Sequence, residues 1–187
     1  MEYIKKNENE KEFWSNWDIF VTEQSPGPRY MKSAIENFLE MSKSRGWYKE
    51  DHSVVLIQNN RPVGALFLPI EEQEDIRSVS FCGRHTMAPL FSAEHVRREL
   101  FRYVDDVAAR EQVQKIMFGI DPLLNAEYPY NYLLAHDYLD NSLLSYVVDL
   151  APSVDLLKNC RRGHRSDIKT ALRDPQFERF TVDQDQP

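Results

Sequence analysis

Residues 53–70 read SVVLIQNNRPVGALFLPI. Two apolar runs, Ser53–Gln58 and Pro62–Leu68, flank the polar triplet Asn59-Asn60-Arg61. Asparagine tolerates the left-handed backbone that a tight hairpin turn demands, so this stretch predicts two antiparallel strands joined by a short connection. Working outward, Val79–Cys82 predicts a further strand ending at Gly83. Lys115–Ile120 predicts a buried strand closed by Asp121-Pro122, and Leu143–Leu150 and Phe177–Val182 predict two more. Between them lie helical patterns. Residues 10–20 carry Phe13, Trp14, Trp17 and Phe20 at steps of three and four. After the break Ser25-Pro26-Gly27-Pro28, Arg29–Arg45 places Met31, Ala34, Ile35, Phe38, Leu39 and Met41 on one side, with Gly46 as the stop. Ser92 is the expected N-cap of a long helix over Ala93–Gln112, with Glu94 in its first turn. Asn131–Tyr138 predicts a short helix. Hairpins outnumber strand–helix alternations. The expected fold is therefore α/β, a mixed and mainly antiparallel sheet flanked by helices, not a doubly wound parallel one.

The chain has 187 residues, 42% of them hydrophobic and 12% aromatic, enough for one full core. We expect a single domain over 1–187, with N-terminal helices in 1–48, a sheet-containing core in 49–183 and a short acidic tail. The net charge of −7 disfavours general nucleic-acid binding, so any anion recognition must be local. No run approaches the roughly 20 apolar residues of a membrane span, and the first residues lack a signal-peptide core. Two cysteines, Cys82 and Cys160, suggest no disulfide framework. Together these point to a cytoplasmic protein.

Local positive charge is concentrated near the C-terminal end. Ser145–Arg173 reads SYVVDLAPSVDLLKNCRRGHRSDIKTALR: a strand, a proline turn, an apolar-faced helix over Ser153–Cys160 and a basic helix. Arg162, Arg165, Lys169 and Arg173 share one helical face, and Ile168, Ala171 and Leu172 another. Such a row suits phosphate oxygens; a solvated helix face is the competing reading. Cys82-Gly83-Arg84-His85 brings a thiol, a guanidinium and an imidazole to a strand end. Neighbours on a strand point to opposite faces, so a structural cysteine beside a glycine-supported loop is the simpler reading, with Arg84 available to an acceptor pocket. The tyrosine-rich segment 127–132 either caps the core or lines a cleft through Tyr130. No metal-ligand spacing, phosphate-binding loop, nucleophile elbow or dinucleotide fingerprint is present.

Three segments resemble the FemAB-like branch of the GNAT acyltransferase superfamily. They are the hairpin 53–70, the Pro89-Leu90-Phe91 turn before the long helix, and YVVDL followed by LLKNCRRGHRSDIKTAL. The last is similar to a K-x-x-R-x-x-x-R-x-x-I-x-x-A helix, matched by Lys158, Arg161, Arg165, Ile168 and Ala171. The resemblance implies two GNAT-like halves in tandem, of which this chain is the first. It implies transfer of an acyl or aminoacyl group to an amine on a peptidoglycan precursor or amino sugar. The donor is an acyl-CoA or an aminoacyl-tRNA, and no metal takes part. It implies a missing C-terminal half as partner. We expect an anionic acceptor, with or without a linked nucleotide, to be held by Arg161, Arg162, Arg165, Lys169, Arg84 and Tyr130. Catalytic residues are not identified, and the isolated half is expected to be inactive. The chain departs from the superfamily in lacking the Q/R-x-x-G-x-G/A loop that cradles a pyrophosphate; Gly163 has no second small residue at the required spacing. The rival expectation is a binding or assembly module with a degenerate core, docking through Trp14 and Trp17.

Overall fold

Two long strand runs organise the sheet in this computed structural model, which describes residues 1–24, 26–120, 131–141, 155, 158, 161–171 and 173. The first run is β2 (Tyr48–Asp51) continued by β3 (Val54–Gln58); the second is β4 (Arg61–Leu66) continued by β5 (Pro69–Gln73). They pair antiparallel along their whole length, Val55 opposite Ala65 and Glu50 opposite Ile70. Asn59 and Asn60 both have positive φ, the backbone of the predicted two-residue turn. At the junction of the two runs the Ser53 hydroxyl accepts the Leu68 N–H, standing in for a ladder bond.

β1 (Glu2–Lys5) adds antiparallel to β3, and β6 (Ile76–Val79) adds antiparallel to β5. The β5–β6 turn again uses two positive-φ residues, Glu74 and Asp75. β8 (Leu90–Phe91) pairs antiparallel with β4. Only the last pairings are parallel: β9 (Lys115–Ile116) with β6, and β10 (Phe118–Gly119) with β7 (Thr86–Met87). The sheet is mixed and mainly antiparallel, as expected.

Side-chain alternation assigns a helix layer to each face. Val54, Leu56, Leu66 and Leu68 pack with Val96, Leu100, Val104 and Val107 of α3 (Glu94–Arg110). Val55, Ala65 and Phe67 face the opposite layer, made by α1 (Glu10–Gln24) and α2 (Lys32–Ser44). α1 turns Phe13, Trp14, Trp17 and Phe20 inward, all four buried as their spacing predicts. Each such side chain contributes on the order of 2–3 kcal/mol by leaving water. Trp14 and Trp17 therefore belong to the core and offer no docking face.

Some boundaries differ from expectation. Pro28–Tyr30 forms a separate 3-10 turn, so α2 starts at Lys32. Met31 becomes its N-cap, and Met41 lies off the Ile35–Leu39–Ser42 stripe, leaving both methionines exposed. The cap of α3 is Ala93, not Ser92, whose N–H is committed to Val63. Asn131 caps a 3-10 turn over Tyr132–His136 in place of the predicted helix. The predicted strands at 143–150 and 177–182 and the helix at 153–160 lie outside the described residues, Asp155 and Lys158 excepted.

The chain divides into two compact units, Met1–Asn141 and Ser142–Pro187. In the second, α4 (Arg162–Ala171) is the basic helix. No helix among the described residues is long and apolar enough to cross a membrane.

Candidate functional site

The parallel pairing between residues 78–87 and 115–119 is interrupted in the middle. Val79 accepts the Met117 N–H, and Met117 accepts the Thr86 N–H, so one residue stands opposite the six from Ser80 to His85. The surplus is extruded as a miniature hairpin. Phe81 and Arg84 exchange both backbone hydrogen bonds, at 2.8 and 2.9 Å, around Cys82 and Gly83, which have φ of 47° and 71°. These are the angles of a type I′ turn, which glycine adopts without strain.

A buried carboxylate holds this hairpin. Glu71 on β5 is 1% exposed, and it accepts the N–H groups of Cys82 (2.7 Å) and Gly83 (2.9 Å) and the Ser80 hydroxyl (2.7 Å). The turn amides, which would otherwise point at nothing, are satisfied by one side chain. The Phe81 ring packs on Phe38 of α2 with centroids 4.0 Å apart. Burial, and next the Glu71 charge, push the Cys82 thiol up, so it is no thiolate nucleophile.

Beside the hairpin is a cluster of cations. Arg84 is its last residue and His85 follows; the imidazole rests on Gly119 of β10, where a Cβ would overlap it. Arg29 comes from the 3-10 turn Pro28–Tyr30. That turn is fixed at both ends of Tyr30: the Trp17 indole N–H donates to the Tyr30 carbonyl, and the Tyr30 hydroxyl donates to the Ala88 carbonyl, each at 2.8 Å. Burial, then Arg29, then Arg84 hold the His85 imidazole below its ordinary range. Among the described residues neither Arg29 nor Arg84 has a carboxylate partner, unlike Lys6, Arg77, Arg97 and Arg110.

Glu50, His52 and Glu111 also converge, their ligand atoms all within 4.8 Å of one another. The Arg110 guanidinium bonds Glu111 at 2.8 Å and reaches His52 Nδ1 at 3.4 Å, while His52 Nε2 meets Glu50 at 2.9 Å. With an arginine already filling it, the group ties the end of α3 to the β2–β3 junction.

A coenzyme A donor, as the resemblance implies, would need backbone amides and room for its diphosphate, which a helix entrance such as that of α3 could supply. Only Ser92 and Ala93 separate the paired β8 from the helix, and no glycine lies between Gly83 and Gly119. Glu94 puts a carboxylate in the first turn, where it bonds Arg97 at 2.6 Å and Arg98 at 3.3 Å. A diphosphate there would find no glycine loop, and a carboxylate already shared between two arginines. The residues present do not fit that group.

The sequence-predicted contacts fall in two places. Arg84 belongs to the first unit; in the second, Arg162, Arg165 and Lys169 lie on α4 and Arg161 immediately precedes it. Arg161, Arg162 and Lys169 are exposed and Arg165 half-buried. Ile168, on the apolar face opposite the arginines, is 40% exposed. Tyr130 lies outside the described residues. Sequence reasoning missed Arg29, which sits in a proline-flanked turn with no pattern linking it to Arg84.

No family model matches the chain, and no curated protein matches it. Among solved structures it is similar to the ribosomal-protein-alanine N-acetyltransferase of Brucella melitensis biovar Abortus 2308, at 9% identity and a TM-score of 0.47, covering 80% of this chain and 98% of that one. It is also similar to an aminoglycoside antibiotic 6'-N-acetyltransferase of Acinetobacter haemolyticus, at 12% identity and a TM-score of 0.43, covering 80% and 98%.

Proposed function

We propose that this chain is the acceptor-side half of a FemAB-like N-acyltransferase, acting in the cytoplasm on an anionic acceptor. The acceptor carries the amine that receives an acyl or aminoacyl group, and a cell-envelope precursor or an amino sugar has that chemistry. The sequence resemblance of the hairpin, the Pro89-Leu90-Phe91 turn and the basic helix supports the superfamily. One observation supports the division of labour: the α3 entrance carries the Glu94 carboxylate, while Arg29 and Arg84 stand without carboxylate partners beside the strand opening. Donor binding then falls to another polypeptide segment, and this half orients the acceptor. Orientation alone supplies a large part of such a rate enhancement, because the amine attacks an already activated carbonyl. The second unit carries basic residues of its own, Arg161 just before α4 and Arg162, Arg165 and Lys169 on it, which we also assign to acceptor binding.

The closed α3 entrance equally suits a second reading, a binding module that performs no chemistry. Calorimetric titration separates these from an autonomous acetyltransferase. We expect no heat of binding with acetyl-CoA and measurable heat with a uridine-diphosphate-linked amino sugar. Acetylation of an amine by the isolated chain would end the acceptor-side reading. Transfer activity appearing only when a donor-binding half is supplied would decide against the inert module.

A further inference from the structure

We propose that Glu50, His52 and Glu111 form a binding site for a divalent cation of the zinc class. The inference is independent of the acceptor reading above. Glu50 lies on β2 and His52 just beyond it, two residues on, where extended backbone turns both side chains to one side. Glu111 is the C-cap of α3. The two less exposed ligands are mounted through their own backbone. The His52 N–H donates to the Leu68 carbonyl at 3.0 Å, and the His52 carbonyl accepts the Tyr103 hydroxyl at 3.2 Å. The Glu111 N–H donates to the Val107 carbonyl at 2.9 Å, and the Glu111 carbonyl accepts from Arg77 Nη1 at 3.1 Å. His52 is 8% exposed and Glu111 half-buried, while Glu50 is exposed and able to adjust.

Ligands placed tetrahedrally about 2.0–2.2 Å from zinc stand roughly 3.3–3.6 Å apart. His52 Nε2 lies 2.9 Å from Glu50 Oε2 and 3.8 Å from Glu111 Oε1, one on each side of that spacing. All three ligand atoms are within 4.8 Å of one another, so small side-chain adjustments bring them onto one ion. An imidazole nitrogen suits zinc, whereas magnesium and calcium prefer oxygen throughout. Charge favours a cation as well: Glu50 pairs with no lysine or arginine among the described residues. Arg110 is the competitor, bonding Glu111 at 2.8 Å and reaching His52 Nδ1 at 3.4 Å. Its side chain is 57% exposed and turns to solvent as the ion enters. The proton that Nε2 gives to Glu50 passes to Nδ1, and the imidazole binds the ion in its neutral form. Three protein ligands leave the fourth position to water.

The test is calorimetric titration of the untagged full chain with zinc chloride, with magnesium chloride in a parallel run. Zinc is expected to bind with heat, and magnesium to give none. Glu111→Gln and His52→Gln are each expected to weaken zinc binding by more than about tenfold. Arg110→Gln is expected to tighten it, because the competing cation is gone. A zinc site elsewhere on the chain would respond to none of the three. Near-ultraviolet circular dichroism of the buried Trp14 and Trp17 reports that each variant is folded. Absence of zinc binding overturns the proposal, as does parental affinity in the folded Glu111→Gln and His52→Gln variants. Weaker binding by Arg110→Gln overturns it as well.

Discussion

The His85 ring occupies the space where Gly119 has no side chain. The two residues sit on neighbouring parallel segments, and the close approach sets where the imidazole can point. His85 is otherwise exposed and able to swing away. Gly119→Ala is therefore expected to cost little stability, about 1 kcal/mol or less, because the side chain yields before the backbone does. The larger effect is local: His85 moves off its seat and its titration midpoint rises toward 6.5, the value of a histidine in water. NMR titration beside urea unfolding measures both effects.

Glu71 carries more of the fold than its place in an acidic strand suggests. Glu71→Ala removes the acceptor of two part-buried turn amides and of the buried Ser80 hydroxyl, which is left with Ser78 alone. The expected loss is about 3 kcal/mol, from unsatisfied groups that keep their desolvation cost. Glu71→Gln retains an acceptor oxygen and is expected to lose about half as much. Urea unfolding midpoints would rank the two, and an Ala variant as stable as the parent would contradict this reading of the turn.

Gly64 allows α3 to lie close on the sheet. A Cβ there would stand 2.8 Å from Val96 Cγ1, 3.0 Å from Leu100 Cδ1 and 3.3 Å from the Leu90 carbonyl oxygen. Gly64→Ala is expected to destabilise by about 1–3 kcal/mol, the range for overpacking a filled core. Thermal unfolding of the variant reads this directly, and the loss should exceed that of Gly119→Ala.

Acid is expected to weaken the fold through two histidines. Burial, first, and nearby arginines hold both His85 and His136 below their ordinary value of 6.5. In the folded chain they therefore resist protonation that the unfolded chain accepts. Stability is unaffected by them well above pH 6.5 and falls as the pH drops through that value toward their lower folded values. Urea midpoints between about pH 7.5 and 5.5 should decline, and His85→Gln should flatten part of the decline. A profile rising toward acid would reverse the sign.

The parts of the fold legible in sequence were those where one signal dominates. Asn59-Asn60 admitted the hairpin turn, and the aromatic steps of 13–20 left α1 a single way to bury itself. The missed elements carry mixed signals. β1 is a partly exposed edge strand of sequence EYIK, and β5 hides the buried Glu71 behind an acidic PIEEQ. The cations beside the hairpin were half legible: Arg84 stood out beside Gly83 and His85, whereas Arg29 sits on a turn tied to the sheet by the Tyr30–Ala88 hydrogen bond, a contact 58 residues apart in sequence. α4 was legible as a basic helix, but periodicity overstated the burial of Ile168. Short amphipathic patterns state which residues share a face, not whether anything covers it.

The most direct measurement is a crystal structure of the chain with a uridine-diphosphate-linked amino sugar soaked in, paired with a second soaked in coenzyme A. We predict phosphate oxygens within hydrogen-bond reach of Arg29 and Arg84 in the first, and no coenzyme A diphosphate at the start of α3 in the second. A diphosphate seated on the amides of Glu94–Val96, with the Arg29 and Arg84 side chains left in solvent, would contradict the account.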